Sequence, residues 1–391
     1  MIRHSWKRML KLTRLTILIL VGFVLLFWGI AVLPVFATGL NGDTTYTDGP
    51  NVCAKCHPNQ FNQWLNHGHS RKLAGGAIVG TLDGKWGVTA DARSMGIPLP
   101  DHDTDVYNWN NILMVIGSSK HWKTRYMDLN GFIITKGGKN QYNWETGTFS
   151  DYEKDTVKKF DCGPCHTSGY RKEGSFGVAG IVGDFAHINI TCENEYCHGA
   201  GATHAASPSK ANIIASPTAA AKCGGCHMRG SDPNVIPADA GFIRHQEQYQ
   251  EFLQSPHKSF DCVTCHDQHV GRAKGIKVAT GQSEICATCH SSQVSEYKDS
   301  KMQKAGVKCQ DCHMGKAGKS AVKNGPYEGD VWSHLFRVNS AADYTMFSAD
   351  GKTAKDALSL EFACFRCHAD ASKATFAAIG TTGTAYHTIG K

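Results

Sequence analysis

The sequence predicts a mainly α fold with little regular secondary structure, organised around a repeated Cys/His motif, with a small β-hairpin insertion near residues 83–150. Three observations carry that expectation. All 16 cysteines fall into eight pairs, and each pair has a histidine directly after its second cysteine. The 391 residues hold 41 glycines and 41% hydrophobic residues, a composition of short pieces and loops rather than of one large self-packed core. The longest stretch without a cysteine, residues 58–161, carries Trp86, Trp109, Trp122 and Trp144 among Asp, Asn and Gly turns.

The motifs are Cys53-x-x-Cys56-His57, Cys162-x-x-Cys165-His166, Cys223-x-x-Cys226-His227, Cys262-x-x-Cys265-His266, Cys286-x-x-Cys289-His290, Cys309-x-x-Cys312-His313 and Cys364-x-x-Cys367-His368. An eighth copy, Cys192-Glu-Asn-Glu-Tyr-Cys197-His198, is stretched to four intervening residues. This is the pattern of covalent c-type haem attachment. Each thiol adds to one vinyl group of the porphyrin, and the adjacent histidine becomes the proximal iron ligand. Closed zinc sites would not need a histidine after every pair, and a disulfide scaffold would not need one either. The cofactors implied are eight covalent c-type haems. Porphyrin then supplies much of the apolar core, which explains the expectation of helical pieces wrapped around a haem chain.

Along the chain, residues 1–14 are basic and Leu15 to Leu33 is apolar or small except for Thr16. Val35-Phe36-Ala37 offers a peptidase site, so residues 1–37 read as a secretory signal or, equally, a retained membrane anchor. Either places the remainder outside the cytoplasm, in the periplasm or at the cell surface. Residues 38–221 are expected to form an N-terminal haem domain with three haems and the β-containing insertion. Residues 222–391 are expected to form a C-terminal domain with five.

Within the first domain, Gln60–Ala74 suits a helix leading away from the first motif and returning a histidine. Tyr126–Thr135 and Gln141–Phe149 suit short strands joined by Lys136-Gly137-Gly138-Lys139. Gly174–Gly183 lacks the strand-then-helix context of a nucleotide loop. In the second domain, Phe242–Leu253 has helical spacing, Lys316–Asp330 reads as a Lys/Gly loop, and residues 354–368 suit a helix carrying the last motif.

The second axial ligand decides between electron transfer and chemistry at iron. Of 20 histidines, eight follow cysteine pairs and His4 lies in the leader, leaving eleven. His269 and His204 lie a few residues beyond motif histidines, and His257, His334 and His69 sit in recurring local contexts. His245, His187 and His121 complete the expected set of distal ligands. His67, His102 and His387 are left as spares. Met228 and Met314 directly follow proximal histidines and read as packing.

Several segments resemble the multihaem c-type cytochromes of respiratory chains. Cys53–His57 with Trp64 and His69 is similar to a first-haem signature. His121 to Tyr126, continuing through Gln141 to Trp144, resembles a Trp/Tyr-rich insertion before a haem motif. Thr191-Cys192-Glu193 with Cys197 to Gly201 and His204 resembles a Cys-Glu…Cys-His-Gly motif, here with two extra residues between the cysteines. Gln246–His257, Cys262–His269, Cys309–Met314 and Gly329–Val338 resemble the C-terminal half of decahaem-like electron carriers. The resemblance implies electron transfer through mostly bis-histidine haems, with redox proteins as partners and no catalytic residue. Filament-forming members make a homopolymer a further expectation, and the alternative is an octahaem reductase or dehydrogenase of a nitrogen or sulfur compound with one open haem.

The formal charge of +7 owes five units to Arg3, Lys7, Arg8, Lys11 and Arg14. No basic cluster remains beyond the leader, so nucleic-acid binding is not expected.

Overall fold

Ile112-Leu113-Met114-Val115-Ile116 is an unbroken apolar run, and all five residues are buried in the computed structural model. Such a run suits a strand covered on both faces rather than an amphipathic helix. It forms β2 (Ile112–Ile116), between β1 (Leu73–Gly75) and β3 (Lys123–Asp128). From β3 the sheet continues to β4 (Phe132–Ile133) and β7 (Lys158–Lys159), while β5 (Gln141–Asn143) and β6 (Thr148–Ser150) extend it from β3. All its pairings are antiparallel. One cluster of apolar side chains includes Leu73, Met114, Met127 and Phe160. A second includes Ala74, Val115 and Tyr126, as the two-residue period of a strand requires.

The structure describes residues 45–76, 91–100, 107–214, 219–270, 282–380 and 385–389. The chain divides into two units, Met1–Thr38 and Gly39–Lys391. The leader, His4 and His102 lie outside the described residues, as does part of the expected insertion. Among the described residues, no helix is long and apolar enough to cross a membrane.

The fold class corrects the sequence reading. The described structure is 26% helical and 17% strand, with three multi-stranded sheets among the described residues, so the fold is not mainly α. The seven-stranded sheet is larger than one hairpin and recruits β1 and β7 from outside residues 83–150. The expected strand Tyr126–Thr135 is broken by a turn, where Asp128 accepts hydrogen bonds from the Asn130 and Phe132 backbone N–H groups. A four-stranded sheet runs β12 (Gly318–Lys319), β11 (Phe242–Arg244), β10 (Ile236–Asp239), β13 (Thr353–Ala354). A third pairs β8 (Thr167–Ser168) with β9 (His187–Ile188). Phe242 thus starts a strand, and the helix expected there begins only at Gln248 and ends at Gln254. The strands are two to six residues long, too short for periodicity to distinguish from loop.

Candidate functional site

Seven of the motifs sit at short helical turns that end at or near the histidine, and the stretched Cys192–His198 copy lies in consecutive turns. In the motif from Cys53 to His57, the His57 N–H donates to the Cys53 carbonyl at 2.8 Å, and the same bond recurs from His227, His266, His290 and His368. That single turn brings both thiols and the imidazole to one side. None of the 16 cysteines forms a disulfide. The first six motifs line one continuous cavity of 2970 Å³, several times an ordinary small-molecule pocket. Covalently held porphyrins fit such a space, since thiols and imidazoles of six motifs line it together with apolar side chains and with lysines and arginines that suit propionates.

Neighbouring motifs touch. The Cys53 thiol is hydrogen-bonded to Cys192, Cys165 to Cys226, Cys223 to Cys262, and Cys286 to Cys309. Cys197 also lies in the field of Cys223, Cys286 in that of Cys265, and Cys364 in that of Cys312. Four thiol pairs thus join the motifs into groups, with the Cys162–His166 motif attached through Cys226, and the longer-range thiol fields lie between those groups.

Six motif histidines face a second histidine. Ring centroids are 6.4 Å apart for His57 and His204, 6.3 Å for His227 and His69, and 6.3 Å for His198 and His269. They are 6.2 Å apart for His266 and His334, 5.9 Å for His290 and His257, and 6.1 Å for His313 and His387. Two imidazoles on opposite sides of one iron, each nitrogen about 2 Å away, place their centroids roughly 6 Å apart. Burial lowers the pKa of His69, His198, His227, His257 and His334, which favours the neutral form that ligates metal. It pushes His334 down to about 3 and His227 down to about 4, with nearby positive groups adding to the effect.

The other three expected ligands have different surroundings. His187 is buried 3.1 Å from Glu193, which also accepts from the Thr47 and Gly201 N–H groups and the Thr47 hydroxyl. Glu193 thereby ties down the stretched motif, which explains a glutamate directly after Cys192. His121 pairs with Glu145 at 2.5 Å and lies against Trp122. His245 Nε2 lies 2.9 Å from Arg229 Nη1. His387, a spare by sequence, comes opposite His313 because the short helix Ala385–Thr388 packs on the helix Ser291–Tyr297. Only tertiary packing reveals that pairing.

The helix Pro58–Leu65 is pinned by Trp64, whose indole N–H donates to the Ile190 carbonyl at 2.7 Å. The chain then returns His69, whose backbone N–H donates to His67 Nδ1 at 2.9 Å. His334 is anchored by its backbone N–H donating to Glu251 at 2.5 Å. His166 and His368 have no histidine facing them among the described residues. His368 is exposed, with Phe376 5.3 Å away.

A family model described as a doubled CXXCH motif matches residues 255–295, and one described as cytochrome c554 and c-prime matches residues 52–77. No curated protein sequence matches. Among solved structures, the chain is similar to an outer cell wall cytochrome, OcwA, at 18% identity, TM-score 0.57, covering 86% of each chain. It is also similar to the octaheme sulfite reductase MccA of Wolinella succinogenes, at 16% identity and TM-score 0.55, covering 82% of this chain and 65% of that one.

Proposed function

From the premise that this chain is a multihaem c-type cytochrome, an electron-transfer protein, we propose that it carries eight covalent haems and conducts electrons through them outside the cytoplasm. The observation that carries this reading is the set of six facing histidine pairs, five of them lining one cavity. Iron held by histidine on both sides has no position for substrate and changes little on reduction, which suits transfer. The paired thiols and the fields between them support a path: Cys53–His57, Cys192–His198, Cys223–His227, Cys262–His266, Cys286–His290, Cys309–His313 and the exposed Cys364–His368. His368 is then the natural point of exchange with a redox partner. The basic-then-apolar leader supports an extracytoplasmic site, and so does the likeness in fold to an outer cell wall cytochrome.

The test is haem count with spin state. Intact mass should exceed the polypeptide by eight haems, and the ferric spectrum should be dominated by six low-spin centres. His334→Ala should convert one of them to high spin, whereas His187→Ala should leave all six low-spin. A high-spin signal from His187→Ala, or none from His334→Ala, would break the ligand assignment.

A second reading, an octahaem reductase of a nitrogen or sulfur compound, is favoured at one position only. Among the described residues His166 faces no second imidazole, and its motif is a side branch of the path.

A further inference from the structure

We infer that Arg366 is a positioning residue for the last electron step: its ion pair with Asp311 clamps the Cys309–His313 and Cys364–His368 motifs together and holds the exit haem against the relay behind it. The inference rests on the reading that both motifs carry haem, and it deepens that reading by naming what keeps the exit in place.

Asp311 and Arg366 occupy the same place in their motifs, directly before the second cysteine, and they carry opposite charge. Each haem hangs from its two cysteines, so a residue between those cysteines moves with the porphyrin edge. Arg366 Nη2 donates to Asp311 Oδ1 at 2.6 Å. The other Asp311 oxygen accepts from the Lys308 N–H at 2.7 Å, which fixes the carboxylate at the start of the helix Cys309–His313. Arg366 Nη1 lies 3.6 Å from Glu328, and Glu328 lies 3.3 Å from Lys316, three residues beyond His313. The four charges alternate in sign and balance.

A fully solvated ion pair would hold little, because water screens it and side-chain freedom opposes it. This one is shielded: the Arg366 side chain is 13% exposed and that of Asp311 21%. Arg366 and Lys316 both lie over the Trp332 ring, 5.8 and 5.4 Å from its centroid. A guanidinium shared between two carboxylates also fixes direction in a way that an ammonium does not.

The backbone supplies a second point of contact. A β-carbon on Gly315 would stand 2.5 Å from the Phe362 carbonyl oxygen, so the chain just after His313 touches the helical turn Glu361–Phe365 of the last motif. The Cys312 thiol lies in the fields of Arg366 and Cys367. Among the described residues, neither Cys312 nor Cys364 makes a thiol-to-thiol hydrogen bond. At this junction the ion pair supplies the link that a thiol contact supplies between Cys286 and Cys309.

The test compares Arg366→Gln, Asp311→Asn, the double variant and Arg366→Lys as holoproteins. Each is fully reduced and mixed with ferricyanide, and haem oxidation is followed by stopped flow. The exposed haem empties first and is refilled from the inner ones. Both single substitutions should slow the refilling phase, by about tenfold or more, because ångström-scale misplacement is costly to rate. The double variant should be no slower than either single one, and Arg366→Lys should recover part of the loss. If Arg366 acted through its charge alone, the two single substitutions would shift the potential of the last haem, and the refilling rate with it, in opposite directions. That result would overturn the clamp, and so would unchanged rates in both. Intact mass keeps the two readings apart. Eight haems with unchanged rates removes the clamp alone, whereas a mass one haem short, with free thiols at Cys364 and Cys367, ends the haem reading of this motif.

Discussion

Glu193 shows how much one side chain determines. It is almost fully buried yet receives hydrogen bonds from the Thr47 and Gly201 backbones and the Thr47 hydroxyl, with His187 3.1 Å away. Burial alone would raise its pKa, but the contacts from His187 and Thr47 outweigh it and hold the carboxyl below the usual range. The sign follows directly. A depressed folded value contributes stability above the unfolded carboxylate value, about 4.3, and that stability is lost as pH falls through the folded value. Glu193→Gln should therefore cost about 2–3 kcal/mol at neutral pH. Thermal unfolding from pH 7 down to pH 3 should show the gap between the two proteins closing below about pH 4. A pH-independent gap would mean that packing, not charge, is what Glu193 supplies. The sequence places this glutamate in a motif but does not reveal its partners, because Thr47 and His187 are joined to it only in three dimensions.

At the scale of elements, covalent spacing is legible in the sequence and short strand pairing is not. The eight Cys/His motifs stand out because thioether chemistry fixes their order, and five of the facing histidines follow from local context. The strands escape detection where they are two or three residues long and held by neighbours distant in sequence. β12 is such a case, lying parallel to β11 some 75 residues upstream and bridged to Val331. The loop that follows is closed by Asp330, which accepts from the Ser320, Ala321 and Val322 N–H groups. Gly329 makes that closure possible, since a β-carbon there would stand 2.0 Å from the Gly318 carbonyl oxygen. Gly329→Ala should force the two backbones apart and destabilise the protein by about 1–3 kcal/mol, the usual cost of overpacking. Gly325→Ala, which meets nothing within 4 Å, is the control. Equal melting temperatures for the two variants would remove the steric account.

For the whole molecule, charge separates two forms that the sequence leaves open. Removing the five basic residues of positions 1–37 from the formal +7 leaves +2, because that segment holds no acid. Each haem with two propionates and a ferric iron in a dianionic porphyrin adds one net negative charge. Eight haems bring the processed holoprotein to about −6 and a form retaining its leader to about −1. The sequence pI of about 8.6 counts neither effect. A wire that meets redox partners at an exposed haem is sensitive to this sign, since long-range steering follows net field and is screened by salt. Isoelectric focusing of the native holoprotein should therefore give a band well below neutral if the leader is removed, and a band near neutral if it stays as an anchor. N-terminal sequencing of the same band fixes which form was focused. A processed holoprotein focusing above pH 7 would contradict eight haems with free propionates, and would require that several motifs carry no porphyrin.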